Sequence, residues 1–334
     1  MNNGIQVLRI STLAGLAVLA VLIMFSASMS GQGAALPANN LGTTDRPLAV
    51  PEDYVITPFG YFHPSCVRQI AEGETLLADG RVEHANGIVD ATVSFCGYPH
   101  YTHSGLPVNG ELTKANGTPD PVVNGWLEAV WATTNSSYGK ISATWTVPPA
   151  PPTAQGQTLF FFPGFEDYSD VISIVQPVLQ FGPSAAGGGN FWAVASWNCC
   201  LTGYAWNSKL LNVSTGDTIV GSVTSTCAAG QQYCAKWNVI SQDKTTGKKT
   251  TLAKTPAEGQ VWNWAFGAVA EVYSVVQCSD YPTNNGLSFT VKVFDQNRKL
   301  IKSPPWTPYN AGSGTTPWCS YGLNITPKQE TVEY

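Results

Sequence analysis

From Trp126 onward the chain alternates short apolar runs with turn-forming residues, and hardly a helical period appears. The runs that read as strands are Trp126 to Ala132, Gly139 to Val147, Gln157 to Gly164, Ile172 to Phe181, Phe191 to Trp197, Leu210 to Val213, Thr218 to Thr226, Ala235 to Asp243, Lys248 to Ala253, Ala265 to Gln277 and Leu287 to Phe294. Turn signals such as Thr246-Gly247 and Asn285-Gly286 separate several of them. About eleven short strands in this arrangement predict an all-β, antiparallel sandwich, with no internal repeat.

Upstream the pattern changes. Arg9 precedes an uncharged run from Ile10 to Phe25, followed by the small residues Ser26, Ala27, Ser28, Ser30 and Gly31. That run is shorter than the roughly 20 residues a membrane span needs, so residues 1–30 read as a signal peptide and the expected destination is extracellular. Residues 31–53 are polar and rich in Pro and Gly, as in a linker. A small segment, residues 54–124, follows, either a pro-region or an added module. Within it Cys66 to Leu77 predicts a short helix and Gly87 to Cys96 a strand, with Cys66 and Cys96 placed to staple them. The stretch from Ser104 to Asn124 marks the boundary with the sandwich, residues 125–334.

All eight cysteines lie beyond the apolar run, and an even number in an exported chain reads as disulfides among roughly a hundred possible pairings. Asn116, Asn135, Asn212 and Asn324 stand in glycosylation sequons.

Composition narrows the chemistry. Charged residues make up 12% of the chain, half the roughly 25% of an average domain, and the net charge is -5. Such a surface has no basic field for phosphates, and nucleic acid is not an expected partner. The four histidines, His63, His84, His100 and His103, all precede Trp126, the first of eleven tryptophans. The Trp-rich part therefore lacks the imidazole that a Ser/His/Asp triad or a His-ligated metal needs. His100 and His103 show metal-like spacing but no third ligand, and no metal or other cofactor is expected. G-x-S-x-G, H-E-x-x-H and P-loop signatures are also missing.

Attention falls on polar residues inside apolar strands, because a buried carboxyl or amide is costly unless paired or used. Most of the acids after Asp120 fall in turns or at strand ends, with Glu166, Asp167 and Asp170 read as a loop. Glu271 is the exception, inside the apolar stretch from Phe266 to Val276. Period two places it with Val269, Tyr273 and Val275 on a face that either lines a cleft or meets water. In Ile174 to Gly182, Gln176 and Gln180 share a face, and an amide can donate to an oxyanion without changing its own protonation.

The order of seven motifs resembles the glutamic peptidases, the eqolisin family. They are Ala143-Thr-Trp-Thr-Val-Pro148, Phe160-Phe-Phe-Pro-Gly164, Val175-Gln-Pro-Val-Leu-Gln-Phe181, Phe191-Trp-Ala-Val-Ala-Ser-Trp197, Ser214-Thr-Gly-Asp-Thr-Ile219, Asp243-Lys-Thr-Thr-Gly-Lys-Lys249 and Val269-Ala-Glu-Val-Tyr-Ser-Val275. The resemblance implies a lectin-like sandwich of two antiparallel sheets and a secreted, acid-acting endopeptidase, with Gln176 and Glu271 in the places of the catalytic pair. It departs from the family pattern at Gln180, where the motif has Asp, at Pro177, at Val272, and near Gln277, where an acid is missing.

Substrate contacts are expected from Trp145, Trp197, Gln180 and Tyr273, and the expected partner is a polypeptide met by a monomer with no stable membrane association. The alternative is a non-catalytic glycan-binding sandwich using Trp192, Trp197, Trp262 and Trp264 as exposed stacking platforms. A glycosidase would need a second carboxylate beside Glu271, with Glu166 or Asp167 as candidates.

Overall fold

The computed structural model describes residues 46–91, 95–108, 125–168, 173–200, 202–310 and 316–334, which all belong to one unit, Ala35–Tyr334. The expected signal peptide lies outside the described residues.

The strands of the N-terminal segment are short: β1 (Val55–Thr57), β2 (Gly60–Phe62), β3 (Val67–Ile70), β4 (Thr75–Leu76), β5 (Val82–Glu83), β6 (His100–Tyr101) and β7 (Pro107–Val108). Next come β8 (Trp126–Thr133), β9 (Tyr138–Thr146), β10 (Thr158–Glu166), β11 (Ile174–Ser184), β12 (Gly187–Cys199), β13 (Ala205–Ser208) and β14 (Leu211–Asn212). After these run β15 (Thr218–Ser225), β16 (Lys236–Asp243), β17 (Lys249–Pro256), β18 (Trp264–Tyr273) and β19 (Leu287–Asp295). The last are β20 (Leu300–Ile301), β21 (Thr307–Asn310), β22 (Gly322–Ile325) and β23 (Gln329–Glu333). Each of the eleven strands expected after Trp126 has its counterpart here.

Two large sheets form the sandwich. One runs β21-β8-β18-β10-β11-β12-β13-β3 with β14 beside β12, and the other runs β17-β16-β15-β9-β19-β23-β22 with β20 beside β19. Their facing sides carry aromatic rings, including Tyr138 stacked on Phe165 at 5.5 Å, Trp145 beside Phe289 at 5.2 Å, and Phe165 edge-on to Trp237 at 5.9 Å. Burying each such ring stabilises the fold by about 1.5–3 kcal/mol. Central strand β10 is buried along its whole length, which is why its sequence, Thr-Leu-Phe-Phe-Phe-Pro-Gly-Phe-Glu, is almost continuously apolar. Pro163 has no N–H to give the ladder, and the register with β18 shifts between Phe162 and Gly164.

The N-terminal segment differs from its sequence expectation. No helix forms over Cys66 to Leu77. A single 3-10 turn (Pro64–Cys66) leads into β3, which pairs in parallel with β13 at the sheet edge, and Gly73 then turns the chain at a φ of +85°. Edge pairing gives this stretch the backbone partners that a helix would otherwise supply. Gly87 to Cys96 forms no strand among its described residues, where Val89 makes one isolated bridge to Glu83. The expected Cys66–Cys96 disulfide is present.

The remaining disulfides join Cys199–Cys200, Cys227–Cys234 and Cys278–Cys319. Among the described residues no helix is long and apolar enough to cross a membrane.

Glu271 is not the one buried acid that the sequence pattern picks out. Glu128, Glu166 and Glu330 are equally inaccessible. Burial pushes the Glu128 carboxyl up to about 9, Glu330 to about 8 and the partly covered Glu258 to about 7. A carboxyl whose folded pKa is raised binds its proton more tightly in the fold than in the unfolded chain. Its contribution is fully present below the ordinary carboxylate range and is lost as pH rises through the folded values. The melting temperature should therefore be higher at pH 4 than at pH 8, by about 5 °C or more. Glu128→Gln with Glu330→Gln should flatten that slope, and a calorimetric maximum near neutrality would contradict this assignment.

Candidate active site

The site lies on the face of the larger sheet that points away from the second sheet. Antiparallel register sets Glu271 on β18 opposite Phe160 on β10, and Phe160 opposite Gln180 on β11. Gln176, four residues before Gln180, shares that face and pairs with Trp197 on β12. On β10 the same period carries Phe160, Phe162, Gly164 and Glu166. Opposite Phe266, Gly164 makes room for the Phe266 ring, which a Cβ there would approach within 2.4 Å.

Both polar residues are sealed from solvent, Glu271 at 0% and Gln176 at 1% exposure, so the face does not meet water. Oε1 of Glu271 accepts a 2.6 Å hydrogen bond from the Tyr273 hydroxyl, while Oε2 has no hydrogen-bond partner in the protein. Nε2 of Gln176 donates to the Pro58 carbonyl at 2.9 Å, and its Oε1 also lacks a partner. The Tyr273 hydroxyl in turn accepts from the Gly60 N–H at 2.9 Å. Contacts from both residues thus converge on one turn of the N-terminal segment, Thr57 to Gly60, between β1 and β2.

Burial drives the Glu271 carboxyl well above its ordinary range. The hydroxyl of Tyr273 and the indole of Trp126 pull it back, while the negative charge of Glu166 pushes it further up. Glu166 is the residue that the sequence reading placed in a loop. Structurally it ends β10, fully buried, with neither carboxyl oxygen hydrogen-bonded in the protein and its own pKa raised well above the ordinary value by burial. The period of β10, carried one step past Gly164, was the signal for its position.

The other predicted contacts divide. Trp197 borders Gln176 on the same face and is buried. The amide of Gln180 is spent on the adjoining β11–β12 hairpin: Nε2 donates to the carbonyls of Gly182 and Gly187, and Oε1 accepts from Ser184. Trp145 is on the second sheet, between the layers, where its ring and Pro177 crowd Gly221, so it does not line this face. Trp192, Trp197, Trp262 and Trp264 are all buried, which removes them as exposed glycan platforms. His100 stacks on Phe62 at 4.6 Å, and the ring of His103 bonds the Val272 carbonyl at 2.7 Å, so the two serve different contacts.

Beside the turn a cavity of about 180 Å³ is lined by Tyr61, His103, Val272, Tyr281 and Tyr321 among others. A larger depression of about 730 Å³, around Pro152, Trp318 and Tyr334, holds none of the predicted site residues.

No family model matches the sequence, and no curated protein matches it. Among solved structures, the fold is similar to scytalido-glutamic peptidase bound to a peptide-based transition-state analogue, at 16% identity and a TM-score of 0.45, covering 63% of this chain and 98% of that one. It is also similar to SCP-B, a member of the eqolisin family of peptidases in complex with the tripeptide Ala-Ile-His, at 16% identity, TM-score 0.43 and the same coverage. Aspergilloglutamic peptidase from Aspergillus niger is similar at 13% identity and TM-score 0.31, over 53% of this chain and 98% of that one. These are proteins of the family that the order of sequence motifs resembles.

Proposed function

We propose that the protein is a secreted peptide hydrolase of the glutamic type, in which Glu271 and Gln176 activate water against a peptide bond. The observation that carries this reading is the pair of unpartnered oxygens, Glu271 Oε2 and Gln176 Oε1, on two buried side chains of one sheet face whose remaining polar contacts meet at a single turn. Buried polar atoms without partners are costly, and these two, on side chains whose other contacts share one turn, supply acceptors for a reactant's donors. Both oxygens accept hydrogen bonds, and water has two to donate.

In the reaction Glu271 acts in its ionised form, which burial disfavours and the Tyr273 hydroxyl favours, and takes a proton from that water as the water oxygen attacks the scissile carbonyl. Gln176 orients the water and donates its N–H to the oxyanion that develops. Glu271 then returns the proton to the leaving amine, so the proton balance closes without imidazole or metal. Tyr273 fixes the carboxyl through Oε1, and Trp197 walls the Gln176 side.

The glycan-binding alternative loses its named platforms to burial. The glycosidase alternative gains a second carboxyl in Glu166, but Gln176 has no part in that chemistry, whereas peptide hydrolysis uses both members of the pair.

The test is cleavage of an unfolded protein from pH 2 to 7 with pepstatin present to silence any aspartic-protease contaminant. Gln176→Ala should fold normally and lose about 10² to 10³ in kcat, the usual cost of one oxyanion donor. Glu271→Gln should show no turnover, because an amide cannot shuttle the proton. Full activity in purified Glu271→Gln would sink the assignment.

The acid limb of the pH profile provides a separate check. Tyr273→Phe removes a donor that favours the carboxylate and should move the limb to higher pH, while Glu166→Gln removes a like charge and should move it lower. Limbs that stay in place would show that neither side chain tunes Glu271.

A further inference from the structure

We infer that the depression around Trp318 is a binding site for a neutral oligosaccharide, in which the open face of that indole carries a sugar ring while Asn285, Ser320 and Glu333 take its hydroxyl groups. The site is separate from Glu271 and Gln176, and the inference stands whether or not those two are catalytic.

Trp318 sets the place apart. It is the exposed one of the eleven tryptophans, at 51%, the others being buried or half-buried. Its exposure is braced from below. The ring stands edge-on to Tyr321 at 5.5 Å, and the Tyr321 hydroxyl donates to the Pro317 carbonyl at 2.8 Å and lies 3.2 Å from the Tyr281 hydroxyl. Cys319, the next residue, is joined to Cys278, which ties the Trp318 loop to the 3-10 turn Cys278–Asp280. A ring already held in place loses little freedom when a ligand stacks on it.

The lining selects the ligand. The depression measures about 730 Å³, within the roughly 300–1,000 Å³ usual for small-molecule sites. Its polar side chains are Ser279, Thr283, Asn285, Ser320 and Glu333, and none of its lining residues is Lys or Arg. Hydroxyl and amide groups both donate and accept, and a carboxylate accepts through two oxygens, so the set matches a ligand that is itself rimmed with hydroxyl groups. Glu333 has no ion-pair partner among the described residues, and its charge opposes an anionic ligand. A cation in an aromatic cage fits no better. Tyr281 and Tyr334 also line the depression, but both are buried and stacked on each other at 5.2 Å and 17°, which leaves Trp318 as the open ring face. One apolar platform beside polar groups suits a sugar ring, whose C–H face is apolar and whose edge is polar.

The backbone supplies a second observation. Asn285, before β19, and Ser320, before β22, both line the depression in left-handed conformation, with φ of +58° and +63°. That conformation is unfavourable for a residue with a side chain, and residues held in it gather at ligand sites. Glycine would adopt it freely, yet the chain places an amide and a hydroxyl at these positions. None of Trp192, Trp197, Trp262 and Trp264 lines this site.

Titration calorimetry of the full chain with cellohexaose, chitohexaose, mannohexaose and maltohexaose tests the proposal. At least one of these neutral sugars should bind saturably, and hexagalacturonate should not, because its carboxylates meet Glu333. Trp318→Ala should weaken binding about tenfold or more, the usual effect of removing an anchoring tryptophan. Trp318→Tyr, which keeps a stacking face, should retain most of the affinity and guards against a folding defect in the alanine variant. Glu333→Gln should weaken binding several-fold, since a charged acceptor becomes a neutral one. Glu271→Gln should bind as the unmutated chain does.

No binding of any neutral hexasaccharide, or binding that Trp318→Ala leaves unchanged, would overturn the site. Hexagalacturonate bound as tightly as the neutral sugars would overturn the assignment of a neutral ligand. Carboxymethylated casein bound in place of sugar, and released by Trp318→Ala, would make the depression a peptide site and overturn the proposal as well. Each of these outcomes leaves the test of Glu271 and Gln176 untouched.

Discussion

The structure turns on one burial: a carboxyl group, Glu271, set with zero exposure in the middle of an apolar strand and given a single firm donor, the hydroxyl of Tyr273. Leaving a charge there unpaired would cost several kcal/mol, and the group responds by holding its proton far above the ordinary range. Everything around it follows from that constraint. The neighbouring rows of Phe160, Phe162 and Phe266 keep water away, and the Thr57–Gly60 turn closes the one side that the sheet leaves open.

The same constraint ties the N-terminal segment to the sandwich. Strand β3 extends the edge of the larger sheet, and the β1–β2 hairpin reaches across its face to Gln176 and Tyr273. The segment thus finishes the burial that the eleven-strand pattern leaves incomplete. Glu128 and Glu330, which take no part in the proposed chemistry, also suit an acidic medium, where they stay protonated and no charge has to be forced into the core.

Much of this was legible in the residues. Alternating apolar runs located eleven strands of the sandwich to within a few positions, because period two and turn residues are local signals, but not the short or polar strands β13 and β20 to β23. The shared face of Gln176 and Gln180 and the isolation of Glu271 among valines were legible for the same reason. The helix expected over Cys66 to Leu77 was not, because its competitor is a parallel pairing with β13, more than 130 residues away, which local propensity cannot register. Glu166 was mistaken for a loop acid since its neighbours Asp167 and Tyr168 do resemble a turn, while its burial comes from β11 and β18. Trp145 and the four tryptophans proposed as platforms show the limit of composition: a strand tryptophan looks the same in sequence whether it faces a ligand or the other sheet.

The central claim is that water, activated by Glu271 and Gln176, attacks the peptide bond directly. It is tested most directly by running the cleavage in 18O-enriched water with pepstatin present and weighing the fragments by mass spectrometry. A single turnover should place one 18O in the new carboxyl group, with no covalent adduct on the enzyme at any time point. An acyl-enzyme trapped on a side chain, or 18O incorporation that persists in Glu271→Gln, would contradict it.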